Sequence, residues 1–483
     1  MVKEDRQRGR VVCEGVCGEI GGEEGGKPSF GEEHFGAAQL GDLRRTRRLV
    51  QLANEMVKHP RGSLPEKLND PASLKALYRL MGREEVTHES VLCSSRERTL
   101  RLAGQVQGTV LHIHDTTELD YTTRRSLKKL GQIGNGSRRG YLLHNTLSVV
   151  AETREVLGLA GQQLICRPRA PKGETKWQSR RRENRESRMW KRASQMLPAA
   201  PAGVLWVEVA DRGADVLEYL DYLHSAQKHY VVRSQHNRRI QLADGRQDKL
   251  HDYARRLPLQ GSKKVQIPAR EGRAAREAEL GIGWAKVTLL IPRQPRGEVR
   301  GQPLETWVVY VRELNPPPDE QPLEWILLTN VPVENLADAQ QRVEWYECRW
   351  IIEDYHKALK TGIDIQSLQF TDEQRLQPAI ALLSVVALFL LKLREAGRRE
   401  DAQQRPAREV VPPIFVTVLS LWRYKEVREE MTVYEFYYAL ARLGGHQNRR
   451  GDHPPGWLIL WRGWIRLLPM VEMALLLKTQ KCG

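Results

Sequence analysis

The spacing of apolar residues changes along the chain. Between about residues 35 and 100 they recur at helical intervals among basic ones, and Asp42 is placed to cap a helix carrying Arg44, Arg45, Arg47, Arg48, Leu49 and Leu52. A second helical stretch follows Pro71 over residues 72–81, and Thr87 can cap a third. From Val110 the runs shorten: residues 110–114, 141–150 and 156–165 read as strands, followed by an Arg-rich helical stretch at 180–196. A strand at 204–210, a helix at 214–226 and a strand at 230–233 complete a β-α-β unit, so the pattern predicts a mixed α/β domain. Further strand-like runs at 265–268, 284–291, 307–311 and 325–329 predict a β-rich insertion at about 236–330. A long helix is expected over 336–360. The apolar run 379–391, broken only by Ser384, is too short to cross a bilayer and reads as a buried core helix. A polar loop near 396–408 and a helical C-terminal region end the chain.

These changes of period divide the chain into residues 1–29, 30–100, 101–370 and 371–483. The first segment is rich in Gly and Glu, buries too little apolar surface to fold alone, and is expected to be disordered. Charge adds a partner class. With 76 Lys and Arg against 60 Asp and Glu, the formal charge of +16 favours a polyanion: nucleic acid first, an anionic membrane surface second. A merely solvated basic surface is the plainer alternative. The six cysteines are too few and too irregular for a disulfide framework, which points to a reducing cytosol. Cys13 and Cys17 have no matching second pair for a zinc site, and the polar N-terminus is unlike a signal peptide.

Two of the expected strands lead into aspartates, Asp115 and Asp211, the positions where α/β sheets place ligand-binding groups. Hard cations such as Mg²⁺ take oxygen ligands, so two such carboxylates are candidate metal ligands. Asp211 could equally cap the next helix, and Glu118, Asp120 and Asp215 compete for the same role. On the expected long helix Tyr346, Arg349, Glu353 and Lys360 fall within about 60° of arc, with Lys357 close by. A surface ladder of Arg349–Glu353 and Glu353–Lys357 pairs accounts for three of these residues. A metal-binding carboxylate flanked by phosphate-holding cations accounts for all of them.

The helix Tyr346-x-x-Arg349-x-x-x-Glu353-x-x-x-x-x-x-Lys360 resembles the YREK signature of the DDE transposases of the IS4 type. His114-Asp115-Thr116-Thr117 and Asp211-Arg212-Gly213-Ala214-Asp215 are similar to that family's two aspartate blocks. Shorter likenesses at residues 40–46, 230–234, 315–317 and 441–445 follow in order, so the resemblance spans about 35–470. It implies an RNase H-like core with a β-rich insertion, between an all-helical N-terminal DNA-binding domain and a helical C-terminal dimerisation region. Asp115, Asp211 and Glu353 would be the catalytic triad, holding two Mg²⁺ or Mn²⁺ ions. Tyr346, Arg349, Lys357, Lys360 and Arg233 would contact DNA, and Trp325 would stack on a flipped base. The arginines at 44, 45, 47 and 48 would hold phosphates of the element's ends.

The implied partners are double-stranded DNA, as terminal inverted repeats and target, and a second copy of the chain in a synaptic complex, with no membrane. The implied reaction is cut-and-paste transposition through strand cleavage, a hairpin and strand transfer. Two alternatives remain at this level: a catalytically silent transposase relative that only binds or blocks DNA ends, and an RNase H-like nuclease without strand transfer. Asp354, adjacent to Glu353, competes as third ligand, and residues 1–29 and 396–415 depart from the family pattern.

Overall fold

The computed structural model describes residues 28–480, apart from 168–172, 176–177, 179–184, 268–275, 296, 319, 450–451 and 453. The extension expected at 1–29 lies outside the described residues except at its end. There Ser29 and Glu32 form a reciprocal cap on α1 (Phe30–Phe35). Helix α2 (Leu43–Lys58) begins at Asp42, whose carboxylate accepts the Arg44 amide at 2.8 Å. Helices α3 (Leu64–Leu68) and α4 (Pro71–Met81) follow, and α5 (His88–Gln105) starts at Thr87. Helix α5 runs past the boundary expected at 100, so this helical unit does not end where the pattern broke.

All the strands join one mixed sheet in the order β2-β3-β1-β5-β6-β12-β11-β10-β7-β8. They are β1 (Thr109–Asp120), β2 (Gly131–Gln132), β3 (Arg139–Val150), β4 (Val156–Ile165), β5 (Leu205–Ala210) and β6 (His229–Arg233), then β7 (Arg239–Gln241), β8 (Gln247–Lys249), β9 (Gly261–Ile267), β10 (Arg276–Leu289), β11 (Leu304–Glu313) and β12 (Glu324–Thr329). Strand β4 lies beside β3, and β9 beside β10. The ladders β1–β5 and β5–β6 are parallel and the others antiparallel. The insertion therefore does not form a separate layer: β12 pairs with β6, and its strands lengthen the central sheet.

Two helices of the α/β region are shorter than expected. After a 3-10 turn at Glu186–Arg188, α6 spans Met189–Gln195; residues 180–184 of the expected stretch lie outside the described residues. The chain after Asp211 makes a 3-10 turn (Arg212–Ala214) before α7 (Leu217–Ser225), because the Asp211 carboxylate accepts the Gly213 amide and tightens the first turn. Helix α8 (Leu250–Arg255) lies within the insertion.

The single helix expected over 336–360 is two helices, α9 (Leu336–Glu347) and α10 (Trp350–Lys357), followed by a π-helical turn at Ala358–Gly362. At the break the amides of Arg349 and Ile351 bond three residues back, to Tyr346 and Cys348, each at 3.0 Å. The π turn closes with Ile363 N–H on the Ala358 carbonyl at 2.8 Å. Tightening at one end and widening at the other redirects side chains that an ideal helix would align.

Helix α11 (Glu373–Arg398) carries the 379–391 run and is a buried core element, lying against α5, α2, α4 and β4. The expected 396–408 loop contains two short 3-10 turns, Glu400–Gln403 and Ala407–Glu409, held inward by buried Ala402 and Ala407. Helices α12 (Pro413–Tyr424), α13 (Val433–Leu443) and α14 (Trp457–Gln480) close the chain. Trp464 of α14 stacks on Phe415 at 5.0 Å and meets Phe389 of α11. One hydrophobic core runs from α1 to α14 across one face of the sheet, and a second, with Met189, Trp190 and Tyr219, covers the other.

A buried charge network ties that second face together. Glu208 of β5 accepts hydrogen bonds from Ser194 Oγ at 2.5 Å and Tyr219 OH at 2.7 Å, and faces His114 Nε2 at 3.2 Å and Lys228 Nζ at 3.6 Å. Burial alone would raise its pKa, but His114, Lys228 and Ser194 hold it down to about 2. A carboxylate whose folded pKa is depressed stabilises the fold above its unfolded value of 4.5, and that stability is lost as pH falls from there toward 2. Glu208→Gln should therefore flatten the acid limb of the melting-temperature profile; an unchanged slope between about pH 5 and pH 3 would place the acid sensitivity elsewhere.

Candidate active site

The parallel pairing of β1 with β5 sets two acids side by side. His114 pairs with Ala210, so the next residues, Asp115 and Asp211, leave adjacent strands together. Strand β1 does not stop at His114, however. It continues to Asp120, and Asp115 lies within the strand, opposite Asn145 of β3. The antiparallel pairing with the long strand β3 carries it past the apolar run. Asp211 stands just beyond β5, as first expected.

Glu353 comes from the first turn of α10, which packs on β1. Arg349, one helical turn before it, is buried and joins the acids: Nη2 donates to Glu353 Oε1 at 2.6 Å, and Nη1 lies 3.5 Å from Asp115 Oδ2. Burial and the Asp211 charge push the Asp115 pKa up to about 6, with Glu353 adding to the rise; the Thr116 amide and Arg349 oppose it only in part.

The competing acids are engaged elsewhere. Glu118 accepts the Gly134 amide at 2.6 Å, and Asp120 holds the turn at Thr122. Asp215 is buried against Arg238 at 2.6 Å and accepts the Gln235 and His236 amides. Asp354 pairs with Arg394 at 2.7 Å and Lys357 at 3.1 Å.

The residues around the acids divide. Tyr346 is buried, with its ring 5.4 Å from that of Trp325 and the Arg233 side chain against its hydroxyl. Arg233 also donates to the Glu324 carbonyl at 2.8 Å. Trp325 lies in β12 opposite Val311, 8% exposed, within the core. Lys360 occupies the π turn, half-buried, with Glu118 as its nearest opposing charge. Lys357 departs from the expected stripe. It is 61% exposed and tied to Asp354 rather than to Glu353. Trp350, which the sequence reading passed over, is an exposed ring with the Arg349 guanidinium 4.8 Å from its centroid. Its only sequence signal was an aromatic next to Arg349.

A second basic feature lies between α2 and α4, where Arg44, Arg45, Arg48, Lys75, Arg79 and Arg83 line an open groove with Asp42 and Asp70 at its rim. Arg44 is bonded to Asp42 at 2.8 Å, and Arg45 to Glu85 at 2.9 Å and the Leu40 carbonyl at 2.8 Å. Arg47 is exposed but does not line the groove. Lys75, Arg79 and Arg83 were overlooked, although their spacing of four was legible.

Among the described residues no three His, Cys, Asp or Glu side chains already enclose a common point, and Arg349 stands between two of the acids. The donor set nevertheless fits a hard divalent cation. All its ligand atoms are carboxylate oxygens, and the crowding of negative charge that raises Asp115 is what such a cation would relieve.

Residues 28–86 match the family model for transposase DNA-binding, and residues 184–390 that for the transposase DDE domain. The first match contains α1 to α4 and the basic groove. The second contains Asp211, Trp325, Arg349, Glu353 and Lys360 but begins after Asp115, so Asp115 rests on its place beside Asp211. A transposase DNA-binding domain followed by a transposase DDE domain supports a DDE transposase family for this chain.

Proposed function

We propose that the protein is a cut-and-paste transposase of the IS4 type, similar to the Tn5 transposase, and that Asp115, Asp211 and Glu353 are its catalytic acids. The observation that carries this reading is that Asp115 and Asp211 stand side by side on paired strands, with Asp211 raising the Asp115 pKa, while buried Arg349 joins Asp115 to Glu353 of α10. The three acids would hold two Mg²⁺ or Mn²⁺ ions, which when bound activate a water or 3′-hydroxyl nucleophile and stabilise the leaving 3′-oxygen. Arg349, already bonded to two of the acids, is placed to hold the neighbouring phosphate, with Lys360 and Arg233 beside it. The groove of α2 and α4 holds the element's end, and the helical C-terminal region joins two copies in the synaptic complex. Exposed Met473, Leu475, Leu476 and Leu477 on α14 supply an apolar surface for that contact. The protein works in the bacterial cytoplasm, on chromosome or plasmid.

The test is cleavage of a labelled duplex carrying the element's inverted repeat. Strand-specific 3′-hydroxyl ends that depend on Mg²⁺ or Mn²⁺ and disappear with a chelator are expected. Specific binding without cleavage in either metal would identify a silent end-binding relative instead.

The hairpin step gives a second expectation. A tight hairpin forces one base from the stack, and an indole that receives it contributes roughly 1–3 kcal/mol, or about ten- to a hundredfold in rate. Trp325 would need to turn out from Tyr346 to do so. Trp325→Ala should leave nicking nearly intact and accumulate nicked ends, with Trp325→Phe recovering part of the loss. A large fall in melting temperature, with both steps lost together, would mean that Trp325 only packs the core.

A further inference from the structure

The face of the sheet that carries Asp115 also carries a buried row of amides. Asp115 of β1 pairs with Asn145 of β3, which pairs with Gln162 of β4. Directly paired residues project to the same face, so these three side chains stand in a line across the strands. Asn145 and Gln162 are almost fully buried. A polar side chain at such a position costs stability unless all its hydrogen bonds are made.

Here they are made in one direction. His88, at the start of α5, bonds Gln162 Oε1 through Nε2 at 2.9 Å. Gln162 Nε2 donates to Asn145 Oδ1 at 2.7 Å. That leaves the Asn145 amide nitrogen as donor, and it meets His356 Nε2 at 3.1 Å. An amide NH₂ cannot accept, so the His356 nitrogen must present its lone pair. Burial, with the charges of Lys360 and Arg349 nearby, keeps this imidazole neutral, its pKa pushed down to about 3. His356 lies on α10, three residues after Glu353 and so one turn further along.

We infer that Asn145 and His356 are positioning residues that fix α10 in rotation and height against β1, so that Glu353 faces Asp115 and Asp211. The inference rests on the reading of those acids as the metal-binding set. Apolar packing sets a helix on its neighbours only within some scatter of angle and height, because dispersion contacts have no direction of their own. One buried hydrogen bond of fixed polarity narrows that scatter. The break at Cys348 and the π turn after Lys357 leave α10 only eight residues long, so it is not aligned by a longer helix, and this bond holds its β3 side while Asp354–Arg394 and the Tyr355 hydroxyl on the Ser384 carbonyl tie it to α11. Neither residue touches the reacting atoms; both act through Glu353.

The experiment uses the full chain and manganese as probe, with Mn²⁺ binding followed by the electron paramagnetic resonance of the free ion, alongside end cleavage, end binding and melting temperature. Outer residues of this kind typically govern about 10- to 100-fold in metal affinity or activity. His356→Leu is expected to weaken Mn²⁺ binding and slow cleavage by about tenfold or more, with end binding kept within about twofold. His356→Gln, whose side-chain oxygen can still accept from Asn145, is expected to recover most of both. Asn145→Leu should lose at least as much as His356→Leu, because it also removes the acceptor of Gln162 Nε2, and the double variant should be no worse than Asn145→Leu, since the Asn145–His356 bond is already gone. A folded His356→Leu protein with wild-type Mn²⁺ binding and cleavage overturns the inference, as does equal loss in the Gln and Leu variants. A wild-type protein that binds no Mn²⁺, and in which Glu353→Gln changes nothing, overturns the functional reading and this inference with it.

Discussion

Asp115→Asn is expected to abolish strand cleavage and, in the same molecule, to raise the melting temperature at neutral pH. The two effects have one cause. Burial, Asp211 and Glu353 oppose ionisation of Asp115 and push its pKa from the ordinary 3.8 up to about 6. A carboxylate whose folded pKa is raised binds its proton more tightly in the native state, so the fold is favoured at low pH and loses that stability as pH climbs from about 4 through 6. At neutral pH the native protein holds this charge against burial and neighbouring carboxylates, a cost that unfolding would relieve and that the neutral amide removes.

The same charge is what a divalent cation requires, and an amide oxygen is a poorer ligand for it. Removing a charge that stabilises the transition state by several kcal/mol lowers the rate by about a thousandfold or more. Asp211→Asn and Glu353→Gln should lose cleavage to the same extent, with end binding retained because the groove of α2 and α4 is untouched. Measurement in chelator keeps the melting comparison free of bound metal. Wild-type cleavage in any of the three variants would remove that residue from the set, and an unchanged or lowered melting temperature in Asp115→Asn would contradict the charge-crowding account.

The second large effect is expected at the basic groove between α2 and α4. Arg48, Lys75, Arg79 and Arg83 line it, whereas Arg47 faces away. Each phosphate contact releases counterions and contributes about 0.9 to the slope of log affinity against log salt. Alanine at these four positions should therefore reduce the slope by about 3 to 4 and weaken binding by orders of magnitude at moderate salt. Arg47→Ala should change little. Arg45→Ala should act differently, lowering stability through its lost bonds to Glu85 and Leu40, because that side chain is largely turned inward. A salt slope that survives the fourfold change would place the end-binding surface elsewhere.

The order of elements was legible from the chain because β1, β5, β6 and β12 are short apolar runs with no competing period. Where each strand ends was less legible. Asp115 read as the residue after a strand because Asp115 and Thr116 break the apolar run, yet pairing with β3 carries β1 on to Asp120. Glu353 was singled out through spacing on an ideal helix, which also set Lys357 close to that stripe; in the structure Lys357 is exposed and paired with Asp354. No sequence rule marked the break at Cys348 or the π turn, since neither holds a Pro or Gly that would interrupt the helical pattern before Gly362. The sequence predicted a β-rich insertion but not how it joins the sheet, since pairing of β12 with β6 is a long-range contact. Asn145 and His356 gave no local signal: a buried Asn in a strand and a His on a helix each have a plain structural reading until their 3.1 Å contact is seen.

The central claim is that acids from β1, β5 and α10 make one metal-binding site for DNA strand cleavage. The most direct test is a crystal of the protein bound to an inverted-repeat duplex, soaked in Mn²⁺ and measured for anomalous scattering. The account predicts manganese peaks contacted by Asp115, Asp211 and Glu353 beside the cleaved phosphate. Manganese bound elsewhere, with Asp115 and Glu353 still paired to Arg349 and Asp211 free of metal, would contradict it.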